Sequence, residues 1–152
     1  MSEGAAIRLA REDDAEIIAE FNVNMAKESE NIDLDPKILL RGVKAVFEVP
    51  QRGRYFVAVL DDKIVGSLMI TTEWSDWRCK NYWYIQSVYV KPEHRRKKIF
   101  TTMYNHVRSL AKEDKSECAA LRLYVDVDNK KAQSTYESLG MKCHYSLMEE
   151  HF

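Results

Sequence analysis

Neither sign of charge dominates this chain: 23 lysines and arginines face 24 aspartates and glutamates, for a formal net charge of -1. That balance excludes the broad positive field of a general nucleic-acid binder. Cysteine is sparse, with three residues (Cys79, Cys118 and Cys143) set far apart. An odd, scattered set fits neither a disulfide framework nor a zinc site, so a reducing cytoplasm is the expected location. The histidines at 94, 106, 144 and 151 share no metal-ligand spacing, and no metal is expected. No apolar run approaches the ~18 residues of a membrane span. Met1-Ser2-Glu3-Gly4 lacks the basic-then-apolar order of a secretory leader. Repeats, low-complexity tracts and interdomain linkers are also missing, so one domain over 1–152 is expected.

What remains is an ordinary globular composition, 45% hydrophobic and 31% charged over 152 residues. Ile7 to Ala10 forms a short strand candidate. Asp13, with Glu16 three residues on, has the spacing of a capping box for a first helix through Ile17, Phe21 and Met25. Asp35-Pro36 opens a second helix with Leu39, Val43, Val46 and Phe47 on its apolar side. Tyr55–Leu60, the Asp61-Asp62 turn and Lys63–Thr72 read as a hairpin. Glu73–Lys80 reads as a longer turn, and Asn81–Val90 as an aromatic, β-branched strand.

A third helix carries Ile99, Met103, Val107 and Leu110. Ala120–Val125 is a buried strand candidate. A fourth helix starts at Asp128 or Asn129 and ends at Gly140. Met141–Met148 reads as a final strand. The expected fold is mixed α/β (α+β), a mainly antiparallel central sheet flanked by helices in the order β-α-α-β-β-β-α-β-α-β. Strand-helix-strand crossovers in the second half require parallel neighbours.

The most informative stretch is Val88-Tyr89-Val90-Lys91-Pro92-Glu93-His94-Arg95-Arg96-Lys97-Lys98-Ile99-Phe100. A strand enters a loop with four consecutive cations, and the loop opens into an amphipathic helix. The first amides of a helix lack internal partners and carry partial positive charge. Aimed together they form an anion site, and arginine adds forked donors suited to phosphate. A solvated charged loop, a basic address and an RNA-contacting patch are the other readings of these residues.

The segment resembles motif A of the GNAT superfamily of N-acetyltransferases: Arg or Gln, two residues, Gly, one residue, then Gly or Ala. Arg95 stands at the first position, Lys98 at the first glycine and Phe100 at the second small residue. Leu121–Val125 followed by Asn129, Ala132, Tyr136 and Gly140 resembles motif B of the same superfamily. The resemblance spans nearly the whole chain.

It implies a strand splayed from its parallel neighbour, with the pantetheine arm of acetyl-CoA lying in the gap. Backbone groups of Val88, Tyr89 and Val90 would border that arm. Arg95, Arg96, Lys97, Lys98, Ile99 and Phe100 would hold the diphosphate. Asn129 and Ala132 would border the arm from the other side, and the Tyr136 hydroxyl would sit near the sulfur. Lys98 can offer its amide as glycine does if its φ is negative. Phe100 is expected to pack into the core.

Such chemistry needs a proton donor for the departing thiolate, and a neutral phenol supplies one. The acceptor is expected to be a small-molecule or peptide amine. Glu73, Trp74, Asp76 and Gln86 are the candidate acceptor residues, with Glu73 the candidate base, since carboxylates and aromatic faces suit a cationic amine. The aromatics of that turn leave core closure and a homodimer contact open as well. A non-catalytic acyl-CoA-binding or partner-binding module on the same fold is the alternative function. Nucleic-acid and membrane partners are not expected.

Overall fold

The computed structural model describes residues 4–113 and 117–152; Met1–Glu3, read above for a leader, lie outside the described residues. Strand β1 (Ala6–Leu9) leads through one 3-10 turn (Glu12–Asp14) into α1 (Ala15–Glu30). The capping role falls to Asp14, not Asp13. Its carboxylate accepts the Arg11 backbone N–H at 2.8 Å and the Arg8 guanidinium at 2.8 Å. A charge-assisted bond from the end of β1 outweighs the local capping-box spacing. Helix α2 (Pro36–Glu48) starts as expected, with the Asp35 carboxylate accepting the Lys37 N–H at 2.8 Å.

Strands β2 (Arg54–Leu60) and β3 (Lys63–Ser75) form a hairpin across Asp61 and Asp62, both at positive φ, as a primed two-residue turn requires. Strand β4 (Lys80–Val90) runs back along β3. Glu73 to Ser75, expected in a turn, therefore extend β3, paired with Tyr82, Asn81 and Lys80. Helix α3 (Ile99–Glu113) crosses over to β5 (Cys118–Leu123), and α4 (Lys130–Ser138) follows. The sheet order is β1-β2-β3-β4-β5, antiparallel except for the parallel β4–β5 pair. Among the described residues, no helix is long and apolar enough to cross a membrane.

Strand alternation sends residues to two cores, one on each face. Phe56, Leu68, Ile70, Trp83 and Ile85 pack against Ile99, Met103 and Val107 of α3. On the other face Tyr55 and Val57 meet Ile18 of α1 and Val43 of α2. Each fully buried side chain of this size contributes about 1.5–3 kcal/mol. Gly66 permits a close approach of β3 to β4: an added Cβ would lie 2.9 Å from the Tyr89 carbonyl oxygen.

The expected final strand is absent. Residues 141–152 hold no strand, and Tyr145, Leu147 and Met148 are exposed. Alternating side chains give a segment a strand-like pattern, but a strand needs a ladder partner. Tyr145 lies beside β5, its ring 5.4 Å from the Arg122 guanidinium.

Candidate active site

The pairing of β4 with β5 runs from Asn81↔Cys118 to Ile85↔Leu123 and stops there. Strand β4 continues to Val90 against β3 alone. From Gln86 onward its other edge is unpaired, and the two parallel strands part. A bulge marks the same place. Gln86 pairs with Met69 and Tyr89 with Ser67, so Leu68 faces two residues, and Ser87 takes φ +52°. Bulges of this kind bend a strand and re-aim its groups. The Lys91 N–H bonds to Val65 on β3, whereas the Val90 carbonyl accepts Arg95 Nε–H from the open side. By strand alternation the backbone groups of Val88 and Val90 both face the gap.

Two cavities occupy the region of the parting. The first, about 600 Å³, lies between Val88, Tyr89 and Val90, the C-terminal turn of α1, Phe100 of α3 and one face of α4. Arg95 stands in its wall. The second, about 610 Å³, lies beside Gln86, the end of β5 and the loop after it. Asn129, Ala132 and Tyr136 border both, as do Val88 of β4 and Met25 and Ser29 of α1. The i, i+3, i+7 spacing of Asn129, Ala132 and Tyr136 puts them on one helix face.

Charge separates the cavities. Arg95 and Lys131 line the first, with Glu28 its acidic residue. Glu30, Asp126 and Asp128 line the second, and no lysine or arginine does.

Beyond the first cavity, the loop turns through Arg96 at φ +64° and Lys98 at φ +60°. Lys97 between them has the ordinary negative sign. The condition of a negative φ at Lys98 is therefore not met. The left-handed conformation is the one glycine adopts most easily, and here a lysine holds it. Alternating signs along a short segment gather successive N–H groups into an anion-binding concavity. The Lys98 carbonyl takes the first helical bond, from the Thr102 N–H at 3.0 Å. The N–H groups of Ile99, Phe100 and Thr101 thus lie in the unsatisfied first turn. The side chains of Arg96, Lys97 and Lys98 are exposed and line neither cavity. Ile99 is buried in the α3 core.

Tyr136 leans on Phe100, whose ring stands edge-on 5.7 Å away. Phe100 packs on the core as expected, and it also walls the first cavity. Burial pushes the Tyr136 phenol pKa up, so it stays protonated through neutral pH. Its hydroxyl has no hydrogen-bond partner among the described residues. Asn129 caps α4, its side-chain oxygen accepting the Ala132 N–H at 3.1 Å. Its side-chain amide remains as a donor at the boundary of the two cavities.

The acceptor candidates divide. Gln86 lines the second cavity and donates to the Thr71 hydroxyl. Glu73, Trp74 and Asp76 line neither cavity. Glu73 lies further along β3, 3.8 Å from Arg122. Arg122 in turn stacks over the Tyr82 ring at 3.4 Å and donates to the Tyr84 hydroxyl. Trp74 is exposed, and Asp76 accepts the Trp77 N–H in the turn.

Sequence reading passed over Glu28, Ser29 and Glu30. Glu28 and Ser29 extend the α1 face of Met25 by one turn, a signal present in the helical spacing, and Glu30 ends the helix beside them. Tyr124, Asp126 and Asp128, just past β5, were also passed over as site residues. Among the described residues no group of histidine, cysteine, aspartate or glutamate is placed to hold a metal.

An open seam between parallel strands, with cationic and acidic cavities meeting at one phenol, suits a long anionic acyl carrier and a second, cationic reactant. That arrangement places the protein among the acyltransferases. The chain belongs to the acetyltransferase (GNAT) family, whose model matches residues 16–141. Family members generally draw the acyl group from acetyl-CoA and pass it to acceptors such as amines.

A crystal structure of a possible acetyltransferase from Clostridium difficile 630 is similar at 44% identity, covering 99% of each chain with a TM-score of 0.92. A ribosomal-protein-alanine N-acetyltransferase from Brucella melitensis biovar Abortus 2308 shares the fold at 17% identity and a TM-score of 0.78, over 97% of this chain and 99% of that one. A transcriptional regulator from Bacillus halodurans C-125 also shares it, at 22% identity and 0.80, over the same shares of the two chains. No curated protein matches the sequence.

Proposed function

We propose that this protein transfers the acetyl group of acetyl-CoA to a primary amine on a small molecule or peptide, by direct attack in a ternary complex. The observation that carries the reading is the parting of β4 from β5, with Tyr136 in the wall of both cavities. The unpaired edge at Val88 and Val90 offers alternating N–H and C=O groups to the amides of a pantetheine arm. The loop from Arg95 to Phe100 offers backbone N–H groups and cations to the diphosphate.

In this reading the acceptor enters the second cavity, where Glu30, Asp126 and Asp128 favour a cation. Gln86 and the Asn129 side-chain amide border the meeting point. The amine must lose its proton before attack, and a water path to a carboxylate serves as base. We place Glu73 further out on that path, since it lies outside both cavities. The nitrogen lone pair attacks the thioester carbonyl, the C–S bond breaks, Tyr136 donates its proton to the leaving sulfur, and the proton shed by the new amide nitrogen returns through water to the phenolate. The phenol's raised pKa keeps that proton available at neutral pH. A cytoplasmic setting, where acetyl-CoA is plentiful, is part of the proposal.

The test is calorimetric titration with CoA, followed by thiol release from acetyl-CoA across a panel of amines. Binding with amine-dependent thiol release is expected. Binding without turnover for any amine would favour a non-catalytic acyl-CoA-binding module. Absence of binding at millimolar CoA would end the proposal.

A further inference from the structure

Arg95 does not reach outward from the basic loop. It folds back over the first cavity. Its Nε–H donates to the Val90 carbonyl at 2.9 Å, and its Nη2 lies 2.7 Å from Glu28 Oε2. The guanidinium sits 5.4 Å from the Tyr89 ring centroid. The Tyr89 hydroxyl donates to the other Glu28 oxygen at 3.4 Å. Glu28, Tyr89, Val90 and Arg95 all line this one cavity. Neighbouring Arg96, Lys97 and Lys98 have no ion pair among the described residues, so Arg95 alone of the four cations is held.

We propose that Glu28 is a positioning residue that latches Arg95 across the cofactor cavity and releases it to a phosphate-bearing ligand. The inference rests on the acetyl-CoA reading above. The Val90 carbonyl that Arg95 occupies belongs to the edge a pantetheine arm would pair with. Any ligand using that edge must first displace the Nε–H. A carboxylate and a phosphate compete for the same forked donors. A ligand carrying a diphosphate gives Arg95 a new and more highly charged partner when the latch opens. A ligand ending at the pantetheine arm gives it none. The latch therefore weakens both ligands alike, and only a ligand with a diphosphate regains that loss, through Arg95.

Calorimetry with CoA and, by competition, with pantetheine tests this on four proteins: wild type, Glu28→Gln, Arg95→Ala and the double variant. An exposed ion pair of this kind corresponds to about a fivefold effect. Glu28→Gln is expected to tighten both ligands by about that factor. Arg95→Ala is expected to tighten pantetheine similarly while weakening CoA relative to it. In the Arg95→Ala background, Glu28→Gln should change pantetheine affinity no further.

Simple repulsion between Glu28 and phosphate predicts otherwise: pantetheine unchanged in Glu28→Gln, with the CoA effect persisting without Arg95. Either result overturns the latch, as does weaker CoA binding by Glu28→Gln. Glu28→Ala repeats the measurement should the glutamine variant misfold. Wild-type protein that binds no CoA would remove the functional reading itself. Wild-type binding with an inert Glu28 would remove only the latch.

Discussion

The Phe100 ring meets the Tyr136 ring edge-on at 5.7 Å. Phe100 stands where the family's motif has a small residue, and its bulk now holds the proposed acid in place. Edge-to-face pairs add about 0.5–1.5 kcal/mol beyond burial. Tyr136→Phe keeps this packing and removes only the hydroxyl. We expect turnover to fall about 100-fold, the lower range for general acid catalysis. CoA affinity should stay within about twofold, since the lost group acts on the leaving sulfur. Equal losses in both quantities would show that the hydroxyl binds cofactor and does not protonate. The wild-type rate should show no alkaline limb from Tyr136 below pH ~10, because burial moves that group upward from the ordinary phenol value.

Lys98 carries strain that its loop does not need. At φ +60° a non-glycine residue costs about 1–2 kcal/mol, and glycine costs little there. Lys98→Gly gives back part of that gain through the freer unfolded chain. A net stabilisation of about 0.5–1 kcal/mol is expected in urea unfolding. The same variant removes one exposed cation, so CoA affinity should become less sensitive to salt. Destabilisation would mean that the lysine side chain makes a contact worth more than the strain.

Much of this was legible in the sequence, for identifiable reasons. Pro36 behind Asp35, the Asp61-Asp62 turn and Asn129 ahead of α4 act through bonds only a few residues long. Their outcome is fixed locally. The basic loop could be located because a strand and an amphipathic helix bracket it. What was not legible depends on neighbours distant in the chain. Asp14 outcompetes Asp13 because Arg8 reaches it from β1. Lys98 turns left-handed at the point where the loop enters α3. Trp83, inside the aromatic β4 strand, alternates onto the α3 face. Met141–Met148 has the pattern of a strand, yet pairing is a property of two segments. Arg95 was readable as a cation at a phosphate site, but not as the partner of Glu28, 67 positions away.

The Arg8–Asp14 pair ties β1 to the start of α1 and should be visible in acid. The guanidinium's hydrogen bonds, with the Arg11 N–H, hold the Asp14 carboxyl below its ordinary value despite partial burial. A depressed carboxyl contributes stability that is complete above the unfolded value of about 3.9. That contribution is lost as pH falls through the lower folded value. Asp14→Asn should cost about 1 kcal/mol at pH 7, a figure reduced for solvent screening. The difference between variant and wild type should shrink toward zero only as pH falls through that lowered folded value. A difference that stays constant into acid would assign the effect to packing instead of charge.

The acidic wall of the second cavity gives the proposal its sharpest test of acceptor chemistry. Glu30 and Asp128 border that cavity, and neither accepts a side-chain hydrogen bond among the described residues. Asp126 is less suitable for substitution, because its carboxylate accepts the Asp128 N–H at 2.8 Å and so shapes the loop. Neutralising Glu30 or Asp128 should raise KM for a cationic amine about threefold to tenfold, as expected for one partly screened charge. The kcat should hold, because the charge attracts the amine equally before and during attack. For an acceptor that is neutral at the assay pH, the same variants should leave KM unchanged. If charged and neutral acceptors lose equally, the carboxylates shape the cavity and do not read its charge. If neither loses, the amine enters elsewhere, and the Glu73–Arg122 cluster at the far end of β3 becomes the place to probe.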